Sequence, residues 1–248
     1  MNKAYVQQYV SLETDHWWFA VRKQIIAGFI ARNISSHNLS ILNIGAAGGA
    51  SSSWLGEFGK VTSVENETVF IEYLKSTGID VINASIEKLP FESKSFDLVC
   101  AFDVLEHVQD DQLALSEMER VCKDGGMLCI TVPAFQSLWG NHDEVNGHKR
   151  RYVKQSLKTL FASKPSLNLC DITYFNSILF IPIFFARKIS ALFNPKNQRS
   201  DFENFKAGSF GNRILKAVFG VEVTLLKQFR FPVGVSLIAV LKKKAGLP

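Results

Sequence analysis

The 248-residue sequence predicts an α/β fold built on a mostly parallel sheet. Apolar runs of strand length alternate with helical patterns along most of the chain, and such alternation requires right-handed crossovers. The first apolar run enters a loop of small residues, Gly45 to Gly49, and the second ends in the acidic Glu65. Strand, tight turn, helix, strand and acid in this order are typical of a nucleotide-binding unit.

The elements follow in a regular order after an N-terminal helix predicted over residues 3–33. That helix carries an aromatic cluster from His16 to Phe19, and its apolar residues recur at helical spacing, so it is expected to cover the sheet. Strands are predicted at residues 39–44, 61–65, 79–83, 96–102, 127–132, 167–175 and 234–241. Helices are predicted at residues 51–58, 68–75, 154–161 and from Asp110 or Asp111 through Cys122.

The composition predicts one domain with a cover and an insertion. A hydrophobic content of 47% without a composition break favours a single domain, residues 1–248, with a helical cover over 1–34 and a helical insertion over 176–232. The N-terminus has no apolar signal segment, so a cytoplasmic protein is expected. Four cysteines without CxxC spacing predict reduced, buried thiols and no metal cofactor.

The insertion differs from the rest of the chain in charge and aromatic content. Nine basic and three acidic residues lie between Arg187 and Arg230, and eleven of the 20 phenylalanines lie between Phe175 and Phe231. This composition suits an anionic lipid surface or single-stranded nucleic acid better than a solvated face. The insertion is therefore expected to be either a lid that packs on the sheet or an element that lies at the periphery of an anionic membrane surface, and no nucleic acid partner is expected.

The glycine loop alone does not determine which ligand binds. Gly45, Ala47 and Ala50 approximate a dinucleotide fingerprint, whereas the absence of a Gly-Lys-Ser/Thr triplet excludes a phosphate-binding Walker loop. A nicotinamide or flavin dinucleotide and S-adenosylmethionine both remain compatible with the spacing.

The later motifs narrow this choice. The sequence contains Leu89-Pro90-Phe91, then Ser95-Phe96-Asp97-Leu98-Val99, then Asp103-Val104-Leu105-Glu106-His107-Val108. In this order, and followed by a helix, a glycine pair and an apolar strand, they resemble class I S-adenosylmethionine-dependent methyltransferases of the type 11/12 kind. The resemblance covers roughly residues 16–175. It implies a Rossmann-like, seven-stranded sheet, mostly parallel, with helices on both faces and an antiparallel last strand.

The resemblance also implies a cofactor site for S-adenosylmethionine. The glycine loop would pass under the methionine part, Glu65 would bind the ribose, Ser85-Ile86 would edge the adenine, and Asp103 with the Phe102 carbonyl would lie by the methionine ammonium. Arg22 is a candidate partner of the cofactor carboxylate. The predicted cofactor-binding residues are Arg22, Asn43, Gly45, Ala46, Ala47, Gly49, Glu65, Asn66, Ser85, Ile86, Phe102 and Asp103.

Three positions depart from the family pattern. Asn43 and Ser85 stand where an acid is usual, and Ala47 stands where glycine is usual. Asn43 keeps a hydrogen-bond acceptor, and Ala47 costs only room if its φ is negative. Each change weakens a contact, so looser cofactor binding is expected.

Candidates for the acceptor side follow the fourth and fifth strands, at the edge where ligands of open α/β sheets bind. Methyl transfer needs close, in-line positioning and a base when the acceptor is a hydroxyl. His107, His142, His148 and Tyr152 are the catalytic candidates. Asp143, Arg150 and Arg151 are the substrate-binding candidates, the two arginines as a clamp for a phosphate on the acceptor.

The expected function is methyl transfer from S-adenosylmethionine to a hydrophobic or lipid-linked acceptor, including one with a phosphate- or glycan-bearing headgroup. The run from Ile172 to Phe185 is apolar but shorter than the roughly 20 residues that span a bilayer, so it is expected to lie in the interface or form a lid. The alternatives are a methyltransferase for a soluble small molecule, an NAD(P)-dependent oxidoreductase and a non-catalytic cofactor-binding module.

Overall fold

The computed structural model describes residues 3–34, 38–193 and 209–245 and contains one seven-stranded sheet. The strands are β1 (Leu39–Ile44), β2 (Gly59–Glu65), β3 (Val81–Asn83), β4 (Phe96–Phe102), β5 (Cys122–Pro133), β6 (Leu167–Phe175) and β7 (Ser236–Lys243). Their order in the sheet is β3-β2-β1-β4-β5-β7-β6. All pairs from β3 to β5 are parallel, and β7 is antiparallel to both of its neighbours. The predicted sheet is therefore confirmed.

Nine α-helices lie in the described segments. They are α1 (Lys3–Asp15), α2 (Trp17–Asn33), α3 (Ala50–Leu55), α4 (Thr68–Ser76), α5 (Asp111–Val121), α6 (Asn141–Val145), α7 (Lys154–Ala162), α8 (Phe180–Phe193) and α9 (Phe210–Leu225). A 3₁₀ turn at Gln136–Leu138 precedes α6. Asp110 is the N-cap of α5, and its side chain accepts hydrogen bonds from the N–H groups of Gln112 and Leu113.

Both faces of the sheet are buried, because alternate side chains of each central strand point to opposite sides. In β1, Leu42 and Ile44 join the core beneath α5 and α7, while Leu39 and Ile41 join the core beneath α2 and α9. Phe219 of α9 is fully buried in the second core. The helices on both faces follow from this alternation.

The predicted N-terminal helix over residues 3–33 is two helices, so that prediction was wrong in one respect. His16 separates α1 from α2 with extended backbone, φ −75° and ψ 136°, and its Nδ1 accepts a hydrogen bond of 3.3 Å from the Trp18 N–H. The side chain thereby acts as an N-cap for α2. Helical periodicity alone missed the break, because the apolar pattern continues through it.

Two predictions for cysteines also need correction. Cys122 begins β5 rather than closing the face of α5, because the strand starts directly after the last helical turn. Cys170 is exposed in β6, at the edge of the sheet, whereas Cys100, Cys122 and Cys129 are buried. All four are free thiols.

The insertion between β6 and β7 contains α8 and α9, and its residues 194–208 lie outside the described segments. Glu222 of α9 is fully buried, and its Oε1 accepts hydrogen bonds from the N–H groups of Ser177 (2.6 Å) and Ile178 (2.8 Å) ahead of α8. Across the described segments, every helix is too short or too polar to pass through a membrane.

Asn212 ties the insertion to the N-terminal cover. Its Oδ1 accepts a hydrogen bond of 2.8 Å from the Trp17 N–H, and its Nδ2 donates one of 3.1 Å to the Asp15 carbonyl. Because Asn212 is buried, these bonds satisfy backbone groups at the break between α1 and α2 that water does not reach.

We expect Asn212→Ala to lower the free energy of unfolding by about 1–3 kcal/mol, since it leaves buried backbone groups unpaired. Urea unfolding followed by circular dichroism measures this change. Asn168→Ala, at an exposed position of β6, is the control and should shift stability by no more than about 0.5 kcal/mol. Equal stabilities of the two variants would contradict the role given to Asn212.

Candidate cofactor and acceptor site

A cavity of about 1460 Å³ opens at the carboxyl ends of the parallel strands. It lies where the strand order reverses between β1 and β4, the position at which open α/β sheets bind ligands. Its walls come from the loops after β1, β2, β4 and β5, from α1 and α2, and from α8. The volume exceeds that of a typical single-ligand pocket, so a cofactor and an acceptor fit together.

The loop after β1 needs small residues for steric reasons. Gly45 has φ 74°, and a Cβ there would lie 2.6 Å from Cγ2 of Val104. Gly49 has φ 92° and precedes α3, where a Cβ would meet Leu74 and Ile79 at 2.8 Å. Ala47 has φ 45°. The expectation that alanine costs only room here required a negative φ, so it is wrong. Ala47 therefore carries backbone strain that glycine would not.

Glu65 lies at the end of β2, buried, and organises this loop. One carboxylate oxygen accepts a hydrogen bond of 2.8 Å from the Ala47 N–H. The other accepts from the N–H groups of Asn66 (2.8 Å) and Glu67 (3.0 Å). The oxygen that contacts Ala47 keeps capacity to accept a further hydrogen bond from a ligand.

Arg22 and Asp103 meet across the pocket from α2 and the end of β4. Arg22 forms an ion pair of 2.7 Å with Asp103 and donates a hydrogen bond of 3.0 Å to the Thr131 hydroxyl, which in turn donates to Asp103. Asp103 has φ 57°, a conformation that turns the chain sharply at the strand end. Nε of Arg22 is buried without a hydrogen-bond partner in the described residues.

The other predicted cofactor residues divide into two groups. Asn66, Ser85, Ile86 and Phe102 line the cavity with Arg22, Gly45, Ala47, Glu65 and Asp103. Asn43, Ala46 and Gly49 do not line it. Asn43 is fully buried, and its Nδ2 donates hydrogen bonds of 2.8 Å to the hydroxyls of Ser51 and Ser52 in α3. Its position favours a structural role for this side chain.

Glu13 of α1 is a pocket residue that the sequence predictions missed. The helix lies against the glycine loop, and a Cβ on Gly48 would overlap the Glu13 carboxylate. Burial raises the pKa of Glu13 to about 7, and the nearby Glu65 adds to the rise, while the Ala50 N–H and Arg22 oppose it. The contact could not be predicted from the sequence, because α1 contains no recognisable motif and is distant from the loop along the chain.

The polar loop after β5 is organised around the fully buried Asp143. Its carboxylate accepts hydrogen bonds from Arg151 at 2.8 and 3.0 Å, from the Gly140 N–H at 2.9 Å, and pairs with Nδ1 of His148 at 2.8 Å. Burial opposes ionisation, but the His148 and Arg151 contacts hold the pKa of Asp143 below its ordinary value.

Arg150, Arg151 and Tyr152, predicted as a phosphate clamp and a base, have protein partners in the structure. Arg151 is bound to Asp143 and to the Ala134 carbonyl, and Arg150 pairs with Asp111 at 3.0 Å. The Tyr152 hydroxyl donates to the Asp111 carboxylate at 2.9 Å, and burial together with Asp111 raises the pKa of Tyr152 far above its ordinary value. Neither Arg150 nor Tyr152 lines the cavity. These groups hold the loop against the sheet.

Three histidines and one acid also line the cavity: His107, His142, His148 and Glu106. The ring centroids of His107 and His148 are 4.7 Å apart, and those of His142 and His148 are 5.7 Å apart. Displacement of water by surrounding atoms, together with the neighbouring His148, lowers the pKa of His107 to about 4. Burial, reinforced by Asp103, raises the pKa of Glu106 well above its usual value.

Residues 42–130 match a protein-family model described as a methyltransferase domain. Demethylmenaquinone methyltransferase from Staphylococcus aureus is 33% identical over 96 residues, which are 34% of this chain and 40% of that protein. The chloroplastic 2-methyl-6-phytyl-1,4-hydroquinone methyltransferase 1 from Oryza sativa subsp. japonica is 25% identical over 140 residues, 52% of this chain and 40% of that protein. The matched segment thus spans less than half of either relative.

The whole chain resembles solved structures in fold. A chain from the complex between the Haloferax volcanii Trm112 methyltransferase activator and a methyltransferase aligns with 99% of this chain and 96% of its own length, at a TM-score of 0.63 and 14% identity. At that identity the likeness concerns architecture alone.

The sheet and its cavity define a doubly wound α/β protein with a nucleotide-type pocket at the strand reversal. Residues 42–130, which include the loops after β1, β2 and β4 that wall this cavity, are the part that the methyltransferase-domain model matches. The chain is thus similar to methyltransferases in sequence over that segment and in fold over its length.

We expect Glu13 to loosen α1 as the pH rises. Because the folded pKa of about 7 lies above the ordinary value of 4.5 for this carboxyl, folding favours the protonated form. That stabilisation is complete below pH 4.5 and is lost as the pH rises through 7. Glu13→Gln should therefore slow hydrogen exchange of α1 amides at pH 8 by about tenfold or more relative to the unaltered protein, with little difference at pH 5.

The control for this experiment is Glu72→Gln, an exposed position on α4. It should leave α1 exchange unchanged at both pH values. A Glu13→Gln effect of equal size at pH 5 and pH 8 would show that ionisation of Glu13 is not what loosens the helix.

Proposed function

We propose that the protein binds S-adenosylmethionine and transfers its methyl group to a hydrophobic or lipid-linked acceptor. The observation that carries the proposal is one cavity lined by two unlike groups of residues. One group is the loop after β1 with Glu65, Arg22 and Asp103, and the other is α8 with the histidines. Methyl transfer requires this arrangement, because donor and acceptor must be held in line and in contact.

The residues of the first group fit the cofactor. Glu65 has an acceptor position left for a ribose hydroxyl, and the left-handed backbone at Gly45 and Ala47 allows close approach to the chain. The unpaired Nε of Arg22 is a donor for the cofactor carboxylate, and Asp103 is an anionic partner for its ammonium. A dinucleotide would instead need protein contacts to its pyrophosphate.

S-adenosylmethionine, when bound, supplies an electrophilic methyl group on a sulfonium that an acceptor atom displaces. The protein's own contribution is positioning and exclusion of water. Tyr9 and Glu13 of α1 close over the cofactor end, and Ile183 and Ala186 of α8 wall the acceptor end. His107 and His148 face the acceptor, where its polar group would lie.

The hydrophobic character of the acceptor is inferred from α8. One side of this helix lines the cavity through Ile183, while Ile181, Phe185 and Ile189 are 64%, 58% and 54% exposed on the other. Exposed apolar stripes of this kind mark membrane or partner surfaces. An acceptor with an apolar chain would pass directly from such a surface into the cavity.

The second insertion helix also exposes apolar side chains. On α9, Phe210, Ile214 and Val221 are exposed at helical spacing, and the basic Arg213 and Lys216, with Lys227 just after the helix, are exposed as well. The composition of these residues and of the α8 stripe suits the headgroup region of an anionic bilayer. The names of the two relatives, both methyltransferases of quinones or hydroquinones, support an acceptor of this class.

We expect Glu65→Gln to raise the Kd for S-adenosylmethionine by about tenfold or more. The amide replaces a carboxylate oxygen with a donor that faces backbone N–H groups, and it removes a charge-assisted hydrogen bond to the ribose. Isothermal titration calorimetry measures Kd, and circular dichroism verifies folding. Glu72→Gln is the isosteric control and should bind as the unaltered protein does. An unchanged Kd in Glu65→Gln would remove Glu65 from the site.

We expect the protein to sediment with liposomes that contain anionic lipid and to do so less when α8 is altered. The double variant Ile181→Ser/Phe185→Ser should lose most of this binding, since it removes two exposed apolar side chains. Leu113→Ser, at an exposed apolar position of α5, is the matched control and should bind normally. If the unaltered protein stays in the supernatant, or the double variant still binds, the lipid part of the proposal fails and a soluble acceptor becomes the better assignment.

A further inference from the structure

Glu106 is a buried acid whose carboxyl group forms no hydrogen bond to another described residue. It is 0% exposed, and neither carboxylate oxygen has a hydrogen-bond partner in another described residue. Removing a carboxylate from water without compensation costs several kcal/mol. The two nearby guanidinium groups are already engaged, Arg22 with Asp103 and Arg151 with Asp143. An unpartnered acid at the wall of a cavity therefore points to a ligand that supplies positive charge.

Two imidazoles stand beside this carboxylate. One ligand atom from each of Glu106, His107 and His148 lies within 4.8 Å of the others. Zinc-type bonds to imidazole nitrogen and carboxylate oxygen are about 2.0–2.2 Å long, so small side-chain rotations suffice to bring all three atoms onto one ion. A set of two imidazoles and one carboxylate suits divalent first-row transition metals rather than Ca²⁺ or Mg²⁺.

His148 is held in place through one of its two ring nitrogens. Its Nδ1 pairs with Asp143 at 2.8 Å, and Asp143 is itself fixed by Arg151 and the Gly140 N–H. This contact engages Nδ1 and leaves Nε2 as the second ring nitrogen. The ring of His107 has the Asn146 backbone as its own hydrogen-bond partner. Metal-binding histidines are commonly oriented by such second contacts.

We propose that Glu106, His107 and His148 bind a divalent first-row transition-metal ion at the acceptor end of the cavity. This differs from the expectation drawn from sequence, which included no metal. Three protein ligands leave coordination positions open, and all three residues line the cavity. An oxygen of the acceptor is thus a fitting further ligand. The site stands independently of methyl transfer, because binding of the metal alone tests it.

The experiment is a titration of full-length, tag-free protein, freed of metal with EDTA and dialysed, with ZnCl₂ and separately with MnCl₂. Isothermal titration calorimetry should show one ion per chain, and the electron paramagnetic resonance signal of free Mn²⁺ should fall in parallel. Glu106→Gln and His148→Ala should each weaken binding by tenfold or more. His142→Ala, which removes an imidazole of the same loop outside the three-residue cluster, should keep the affinity.

Folding of each variant is verified by thermal unfolding in EDTA. Glu106→Gln keeps the size of the side chain and removes its charge, so it remains informative if His148→Ala fails to fold. The proposal is overturned if neither ion binds at one per chain, or if folded Glu106→Gln binds both ions as tightly as the unaltered protein. Because no S-adenosylmethionine is present, this outcome is separate from any failure of the proposed methyl transfer.

Discussion

The reversal of strand order between β1 and β4 is the constraint on which the site depends. Right-handed crossovers carry the chain to one side from β1 and to the other from β4, so a crevice opens at their carboxyl ends. Gly45 follows β1, Glu65 ends β2, and Asp103 follows β4. Their proximity is a consequence of sheet topology, since parallel neighbours end at the same edge. The antiparallel β7 then lets the insertion return over this edge and close it.

Backbone strain is concentrated at the same edge. Ala47, Asp103, Phe135 and Asn176 have φ values of 45°, 57°, 55° and 55°, and each lies within three residues of the end of β1, β4, β5 or β6. A left-handed conformation costs a non-glycine residue about 1–2 kcal/mol. The rigid sheet supplies the packing energy that holds these turns in place. Strain at strand ends that face a cavity is a common feature of functional sites.

The polar residues beyond β5 serve two different purposes that look alike in sequence. Asp143 and Arg151 satisfy each other in the interior, and Arg150 and Tyr152 share Asp111 as a partner. These groups hold the loop. His148, by contrast, joins Glu106 and His107 from the segment after β4, and the ligand atoms of these three residues lie within 4.8 Å of one another at the cavity wall. Asp143 pairs with His148 and so links the paired residues of the loop to the cluster of Glu106, His107 and His148. The buried ion pair thereby helps to hold His148 in place.

The sequence by itself determined the strands, most of the helices, and the loop after β1 and the acid after it that line the cavity. Strand and helix periodicity reflect the burial of neighbouring residues, so the sequence is enough to predict these elements. The small residues of the loop after β1 and the acid at the end of β2 belong to one continuous unit, so their spacing is enough to predict that they lie together. Only the tertiary structure decided which charged side chains are paired inside the protein, as Arg151 is with Asp143, and which remain open, as Glu106 does. It also brought Glu13 of α1 onto the glycine loop and divided the N-terminal helix at His16. The physical reason is that charge pairing and burial depend on distances between segments far apart in the chain, and periodicity along the chain does not contain those distances.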